Sequence, residues 1–272
     1  MQQEKIQWWT SSPFLAMHLG CLAVFWTGVS PGALAMCLGL FWLRMFGITG
    51  VYHRYLAHAS YKTSRVFQFV LVLIASTSLQ KGPLWWAAHH RHHHGHSDEP
   101  DDIHSPVQRG FFWSHMGWIM CTRYEPTRWD LIRQFARYRE LVWINEHHMV
   151  PGIALAAVLL AFGGWQMFVW GFVVSTVLLY HATFTINSLS HVYGTQRFDT
   201  GDNSRNNWLL ALLTLGEGWH NNHHYYPSSA AMGFRWWEID ITLYILKALE
   251  AAGLVWDLKL PPRRLTLDII GS

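Results

Sequence analysis

The chain alternates between apolar stretches and long polar segments. Four stretches come close to the length of about 20 apolar residues that crosses a bilayer. They cover residues 14–29, 32–51, 149–162 and 165–186. The turn within each pair is short and uncharged, with Ser30-Pro31 in the first and Gly163-Gly164 in the second. The pattern therefore predicts two helical hairpins in a membrane.

Two hairpins place the N-terminus and both long polar segments on one face of the membrane. Nearly all lysines and arginines lie in these parts, so the positive-inside rule predicts that this face is cytoplasmic. We therefore predict an all-α membrane protein with four transmembrane helices and a cytoplasmic helical cap. It forms a single domain, 1–272, whose parts are approximately 13–51 (first hairpin), 52–148 (first cap part), 149–186 (second hairpin) and 187–272 (second cap part).

Composition supports a membrane protein and excludes several classes. Hydrophobic residues make up 51% of the chain and charged residues only 14%. The net charge of +3, without a basic and aromatic recognition motif, argues against nucleic acid binding. The three cysteines lack CxxC spacing, so neither a disulfide framework nor a thiolate metal site is predicted. Arg44 lies inside a predicted span near a helix end, and we interpret it as reaching toward the headgroups.

Histidine is concentrated in four short clusters. Two of them share the spacing H-x2-H-H, which predicts that their imidazoles lie on one face of a helix. The clusters contain these candidate metal ligands: His53, His58, His90, His93, His94, Asn187, His191, His220, His223 and His224. Imidazole is a common metal ligand near neutral pH, and one zinc ion needs only about four ligands. Nine histidines are therefore enough for two ions, and the H-x2-H-H clusters suggest two half-sites brought together.

The residue types in the clusters limit the kinds of metal site that are possible. Clusters without cysteine argue against a structural zinc site or an iron–sulfur cluster. A carboxylate-bridged di-iron site needs paired Glu-x-x-His motifs, and only Glu217-x-x-His220 has that spacing. Histidine-rich binding of two metals at a membrane surface suits redox iron that activates dioxygen.

The histidine boxes resemble those of the integral-membrane acyl-CoA fatty acid desaturases of the stearoyl Δ9 type. The boxes are H-x4-H at 53–58, H-x2-H-H at 90–94, N-x3-H at 187–191 and H-x2-H-H at 220–224. The similarity extends to 110–118 and 216–218 and covers roughly residues 13–260 in consistent order. Ala59 and Ala88 stand where animal members have arginine and aspartate, and the segment 82–90 looks like bacterial members.

The resemblance implies specific roles for these residues. The nine histidines would bind two iron ions in a non-heme centre, and Asn187 would act through a bound water. A bent substrate tunnel would be lined by Gln80, Trp86 and Thr183, because a bend presents one methylene pair to the metals. The closed end of the tunnel would lie near Phe41 and Met45, where bulk would limit chain length. No catalytic side chain beyond the metal centre is implied.

The resemblance also implies an activity. The chain would be a membrane-bound desaturase that uses dioxygen and two electrons to insert a cis double bond into a fatty acyl substrate, at Δ9 of an acyl-CoA. Acyl carrier protein and intact membrane lipids are alternative carriers. A bacterial member would lie in the inner membrane with its site facing the cytoplasm. Electrons would come from a separate donor, such as ferredoxin or a cytochrome b5-like protein with its reductase, and the arginines between 123 and 139 are a candidate docking face.

The histidine clusters are compatible with two other functions. A hydroxylase, acetylenase or decarboxylase could use the same metal site, since hydrogen abstraction can lead to each product. A metal-binding membrane transporter would need ligands along a path across the membrane, whereas these clusters all fall on one face. The other nine histidines, which include His18, His115 and His181, are interpreted as structural, solvent-facing or interfacial.

Overall fold

A computed structural model describes residues 5–266, so the first four and last six residues of the predicted domain lie outside the described part. Within 5–266 the chain is mostly helical. The only strands among these described residues are β1 (Lys62–Thr63) and β2 (Val255–Trp256), which pair antiparallel. The helical character predicted from the sequence is confirmed.

The α-helices are α1 (Ser12–Gly20), α2 (Val24–Thr27), α3 (Pro31–Phe46), α4 (Arg65–Ser76), α5 (Pro83–His96), α6 (Pro106–Arg109), α7 (Arg133–Ala136), α8 (Arg139–Glu146), α9 (Met149–Met167), α10 (Ser175–Ser188), α11 (Trp208–Leu213), α12 (His220–Tyr225), α13 (Ile241–Ala251) and α14 (Arg263–Thr266). π-Helical segments cover Gly47–Ala57, Trp113–Gly117 and Phe168–Val174. Short 3-10 turns cover Cys21–Ala23, Trp118–Met120, Thr122–Tyr124, Trp129–Leu131 and Leu189–His191.

Two helical segments are long and apolar enough to cross a membrane, Pro31–Ala57 and Met149–His191. The second has 43 residues but is not one straight helix, because Gly164 adopts φ 66° and ψ −170°. Ser12–Thr27 and Arg65–Ser76 are shorter apolar helices. The four-span topology therefore stays a prediction.

The two predicted hairpin turns lie against each other. Gln166 Nε2 donates to the carbonyl oxygen of Thr27 at 2.9 Å, and the Ser30 hydroxyl donates to Gln166 Oε1 at 2.6 Å. Trp170 Nε1 donates to the carbonyl oxygen of Gly28 at 2.8 Å. Both turns are thus at the same end of the apolar helices, which is where two side-by-side hairpins place them.

The histidine-rich helix α5 is held at its start by a neighbouring helix. Pro83 is its first residue, where a missing N–H costs no helical hydrogen bond. The next two amides, of Leu84 and Trp85, donate to Asn145 Oδ1 of α8 at 3.1 and 2.8 Å. This cap fixes α5 against α8 and so helps to position its histidines.

One hydrophobic cluster joins both predicted parts of the cap. It includes buried Leu56 from the π-helix after α3, Val72 from α4 and Leu84 from α5. Leu246 of α13 comes from the second cap part and is also fully buried. The cap is therefore one packed unit, although its two parts are far apart in sequence.

Arg44 does not reach the headgroups, because its side chain is completely buried. The guanidinium donates to Thr176 Oγ1 at 2.7 Å and to Ser175 Oγ at 2.5 Å, both on α10. It also donates to the backbone carbonyl of Leu40 at 3.1 Å. The interpretation that this charge snorkels is wrong, because hydroxyl and carbonyl groups inside the helix bundle satisfy its donors.

Candidate metal centre

The structure brings the nine candidate histidines into two groups. Within each group, one ring nitrogen per residue lies within 4.8 Å of the others. The first group is His53, His58, His90, His94 and His223. The second group is His93, His191, His220 and His224. Their role as metal ligands stays a prediction, but the convergence needed for two ions is present.

Each H-x2-H-H box contributes to both groups. On α5, His90 and His94 face the first group while His93 faces the second. On α12 the assignment is reversed, because the outer pair joins the second group and His223 joins the first. At about 100° per residue, positions four apart differ by only about 40° around a helix, whereas the third position lies on the other side of that pair. The boxes are therefore not separate half-sites but are shared between both groups.

Carboxylates hold several of these imidazoles by their Nδ1 atoms. His93 and His191 each lie 3.0 Å from a carboxylate oxygen, of Asp102 and Asp98 respectively. His224 Nδ1 lies 2.5 Å from Asp202, and His53 Nδ1 pairs with Glu217. An Nδ1–H that donates to a carboxylate leaves the Nε2 lone pair free, which is the usual arrangement around a histidine-bound metal.

The three aspartates are ionised despite their burial. Burial opposes the charge of Asp98, but hydrogen bonding from His191 outweighs it and lowers the pKa of Asp98 to about 2. Asp102 and Asp202 are likewise buried, and the attraction and hydrogen bonds of His93 and His224 hold the pKa of each carboxyl well below its usual range. Each can therefore act as an acceptor for its imidazole.

Most of the imidazoles stay neutral, which is the form that binds metal. Burial, reinforced by repulsion from neighbouring histidines, lowers the pKa of one set of rings well below the ordinary value. This set is His58, His90, His94, His220 and His223. Burial also lowers the pKa of His224, to about 4. His93 differs, because its attraction to Asp102 outweighs burial and raises its pKa.

The Nε2 atoms of the two groups are arranged as expected for a cation site. His58 and His90 approach with their Nε2 atoms 2.9 Å apart, and His191 and His220 do so at 3.0 Å. His93 Nε2 and His224 Nε2 are buried and have no hydrogen-bond partner within the described residues. Buried nitrogen lone pairs that face one another without donors are costly unless a cation sits among them. The donor set is imidazole without thiolate and fits iron, as well as zinc, copper or nickel.

A buried network of charged side chains contacts His53 of the first group through Glu217. The Arg54 guanidinium lies 3.2 Å from Glu217 Oε1 and 2.9 Å from Asp240 Oδ1. It also donates to the carbonyl oxygen of Ala230 at 2.6 Å. Glu217 in turn holds His53, so Arg54 anchors a metal-site histidine through one intermediate carboxylate.

A cavity of about 620 Å³ lies next to the first group. Three predicted tunnel residues, Gln80, Trp86 and Thr183, line it, as does Asn187. The Gln80 amide donates to Thr183 Oγ1 at 2.8 Å and joins two walls of the cavity. Trp86 stacks on the His90 ring with 5.0 Å between centroids. Through this one side chain the cavity is in direct contact with the first histidine group.

Phe41 and Met45 are not among the residues that line this cavity. Both are buried in a cluster with Leu179, Ala182 and Leu215. Ala182 precedes Thr183 on α10, so this cluster packs behind the cavity wall. The assignment of a tunnel end to these two residues stays a prediction.

Sequence reasoning missed the carboxylates of the centre as a set. Asp98 and Asp102 belong to a visible acidic run, but the run did not show which members face histidines. Asp202 follows Thr200-Gly201, and its partner His224 is 22 residues further on. No local sequence motif links two residues that are this far apart, so only the folded structure shows that they are partners.

Replacing Asp202 with asparagine is expected to lower metal affinity about 10- to 100-fold, because His224 loses the charge that orients its ring. The measurement is iron content per chain after dialysis against graded chelator. Asp199→Asn is the matched control, since Asp199 is exposed in the same loop and accepts a hydrogen bond from the Gly201 amide. Equal iron retention by both variants would show that Asp202 does not support a metal site.

The family described as fatty acid desaturase matches residues 25–257. The chain is 39% identical to an acyl-CoA 5-desaturase of Anemone leveillei, over 95% of this chain and 84% of the relative. It is 37% identical to an sn-1 stearoyl-lipid 9-desaturase of Anabaena variabilis, over 96% of each chain. A chloroplastic palmitoyl-monogalactosyldiacylglycerol delta-7 desaturase of Arabidopsis thaliana is 37% identical over 96% of this chain and 73% of the relative.

Proposed function

The chain belongs to the fatty acid desaturase family, and from this membership we propose that it inserts a cis double bond at Δ9 of a saturated fatty acyl chain in a membrane. As a desaturase-family member it is an oxidoreductase. The observation that carries the proposal is Trp86, which lines the cavity and stacks on His90. An acyl chain in this cavity would lie beside the metal-binding imidazoles.

The proposed reaction balances without a protein nucleophile. Two hydrogens leave neighbouring methylenes, and with two electrons and two protons from outside they reduce dioxygen to two waters. Two irons, when bound, would supply the oxidising power for the unactivated C–H bonds. The protein holds the imidazoles through carboxylates, excludes water with an apolar cavity and positions the chain at Trp86.

We propose that the nine histidines bind two irons and that Asn187 acts through a bound water. The two groups support two ions, since they divide the histidines five and four. Asn187 lines the cavity and precedes the turn that carries His191, which supports a place near the second group with its four imidazoles. An added water ligand would bring that group to five.

We also propose a four-span topology with the cap facing the cytoplasm of a bacterial cell. The paired turns at Thr27–Ser30 and Gln166 support two hairpins with their tips together. The positive residues of the cap support the cytoplasmic side. A separate ferredoxin or cytochrome b5-like protein would deliver the electrons.

The acyl carrier is proposed as coenzyme A, with a membrane lipid as the second candidate. The names of the relatives include both carriers. One observation favours the lipid, because Lys81 is the sole lysine or arginine among the described residues that line the cavity, whereas coenzyme A carries several phosphates. Purified protein supplied with stearoyl-CoA or with a stearoyl lipid in nanodiscs separates the two.

The decisive experiment is expression in a desaturase-deficient host, with co-expressed electron donors and double-bond positions determined by mass spectrometry. New cis-Δ9 monoenes support the proposal, and another position corrects only the regiochemistry. Hydroxylated, acetylenic or shortened products would assign a different oxidation to the same site. Unchanged lipids with every donor would overturn the desaturase proposal.

Met45→Ala is expected to lengthen the preferred acyl chain by about two carbons if the tunnel ends there, because it leaves a space behind the cavity wall. The measurement is the product profile from a mixture of saturated chains. Leu38→Ala is the control, since Leu38 is on the same helix and 54% exposed. An unchanged profile in Met45→Ala would remove Met45 from the tunnel.

A further inference from the structure

We propose that α1 is a lateral gate of the acyl cavity, that the acyl chain of a membrane lipid enters where α1 moves aside, and that a hydrogen bond between His18 and His181 is the latch. This inference rests on the proposed function. Of the two candidate carriers it takes the membrane lipid, which the small number of cationic side chains in the cavity lining favours, and it adds a path of entry through the side of the protein.

Helix α1 is one wall of the cavity. Phe14, Ala16 and Met17 line the cavity on this side, while Gln80 and Thr183 line it near the metal groups. None of the nine residues of α1, all of them described, is buried. The helix is therefore a single layer, with the cavity on one side and the surroundings of the apolar helices on the other.

A chain of three imidazoles connects α1 to its neighbours. His18 Nδ1 lies 2.7 Å from the Phe14 carbonyl oxygen, which can only accept, so His18 Nδ1 carries the hydrogen. His18 Nε2 must then accept from His181 Nε2, 3.1 Å away on α10. His181 Nδ1 is left as the acceptor for His115 Nε2 at 2.9 Å. In the neutral rings, one backbone carbonyl thus sets the tautomers of His18 and His181.

Among the described residues, the contacts that hold α1 do not include an ion pair or a buried charge, unlike those that hold α3 and the cap. It is held by a neutral hydrogen bond, by ring contacts such as Phe14 with Tyr180 at 5.6 Å between centroids, and by apolar packing of Met17 against the cluster that contains Val173. By contrast, buried guanidinium groups tie α3 to α10 through Arg44, and the cap together through Arg54. Helix α1 can therefore separate from its neighbours without exposing a buried charge.

The opposite rim of the cavity also reaches the protein surface. Met149 and Ile153 of α9 line the cavity yet are 40% and 58% exposed. The cavity therefore borders the exposed apolar surface between α1 and α9. Since a double bond forms in mid-chain, sideways entry brings that part to Trp86 without threading the methyl end along the whole cavity. A lipid chain already in the bilayer can enter in this way.

A reversible covalent lock tests the gate. A Cβ atom added at Gly20 lies 3.2 Å from Val173 Cγ1, which is within reach of a disulfide. In a Cys21→Ser background, oxidised Gly20→Cys/Val173→Cys should lose at least about tenfold of its activity on a stearoyl phospholipid in nanodiscs and regain it on reduction. The two single-cysteine variants, treated with the same oxidant, are the controls. Full activity of the locked protein would overturn the gate, whereas an inactive parent protein would instead count against the proposed function.

The latch is tested in metal-free protein, so the readout does not depend on catalysis. Met17→Cys, also in Cys21→Ser, is labelled with a bilayer-soluble maleimide. His18→Leu should speed labelling roughly five- to tenfold, the factor expected for losing one neutral hydrogen bond. His18→Gln keeps an acceptor for His181 and should label at the parent rate. Equal rates in all three proteins would overturn the latch.

Discussion

Replacing His94 with alanine is expected to abolish the formation of unsaturated products, with a loss of at least about 100-fold, and to lower the bound iron per chain. His94 belongs to the first histidine group, and its Nε2 lies 2.9 Å from His223 Nε2. Alanine removes one imidazole from this group and leaves a gap at the contact of α5 with α12. The measurements are the fatty acid profile of the expressing host and the iron content of the purified protein.

His92→Ala is the matched control, because it removes an imidazole two positions earlier on the same helix. His92 belongs to neither metal group, and its Nε2 lies 3.0 Å from the carbonyl oxygen of Asp101. This variant should keep wild-type iron and products. If His94→Ala made normal amounts of product, the assignment of the first group to the reaction would be wrong.

Replacing Arg54 with methionine is expected to lower the free energy of unfolding by about 3–5 kcal/mol, because it leaves buried carboxylates without their cation. Arg54, Glu217 and Asp240 form one network, and their side chains are 1–8% exposed. The measurement is thermal unfolding of metal-free protein in detergent. Since Glu217 also holds His53, weaker iron binding should accompany the lower Tm.

Arg65→Met removes a comparable arginine–carboxylate pair from the surface. Arg65 bonds both oxygens of Glu140 at 2.7 and 2.8 Å, but its side chain is 65% exposed. Solvent screens such a pair, so little change in Tm is expected. If the two variants unfolded at the same temperature, the buried network would not be a major source of stability.

The candidate site could be predicted in part because helical periodicity is local. The spacing of His90, His93 and His94 needs only one turn of helix to be interpreted, and the boxes contain every histidine of the two groups. The apolar stretches likewise predicted helices, since composition over about 20 residues is a local property. Fold class and candidate ligands therefore followed from short segments.

What could not be predicted depends on contacts between distant segments. His94 meets His223 across 129 residues, and Asp98 meets His191 across 93. Arg44 was misinterpreted because its partners on α10 lie more than 130 residues further on. A single sequence gives the chemistry of such groups, but their burial and pairing are decided by packing.

The sharing of histidines between α5 and α12 has a consequence for how the proposed metal centre would be filled. Since each helix supplies both groups, ordering the pair around a first ion also arranges most imidazoles of the second. The conformational entropy is then lost once for two ions, so the second should bind more tightly than the first. In a cell short of iron, each molecule would then carry either two ions or none. The number of active molecules would fall, while each active molecule kept its full rate.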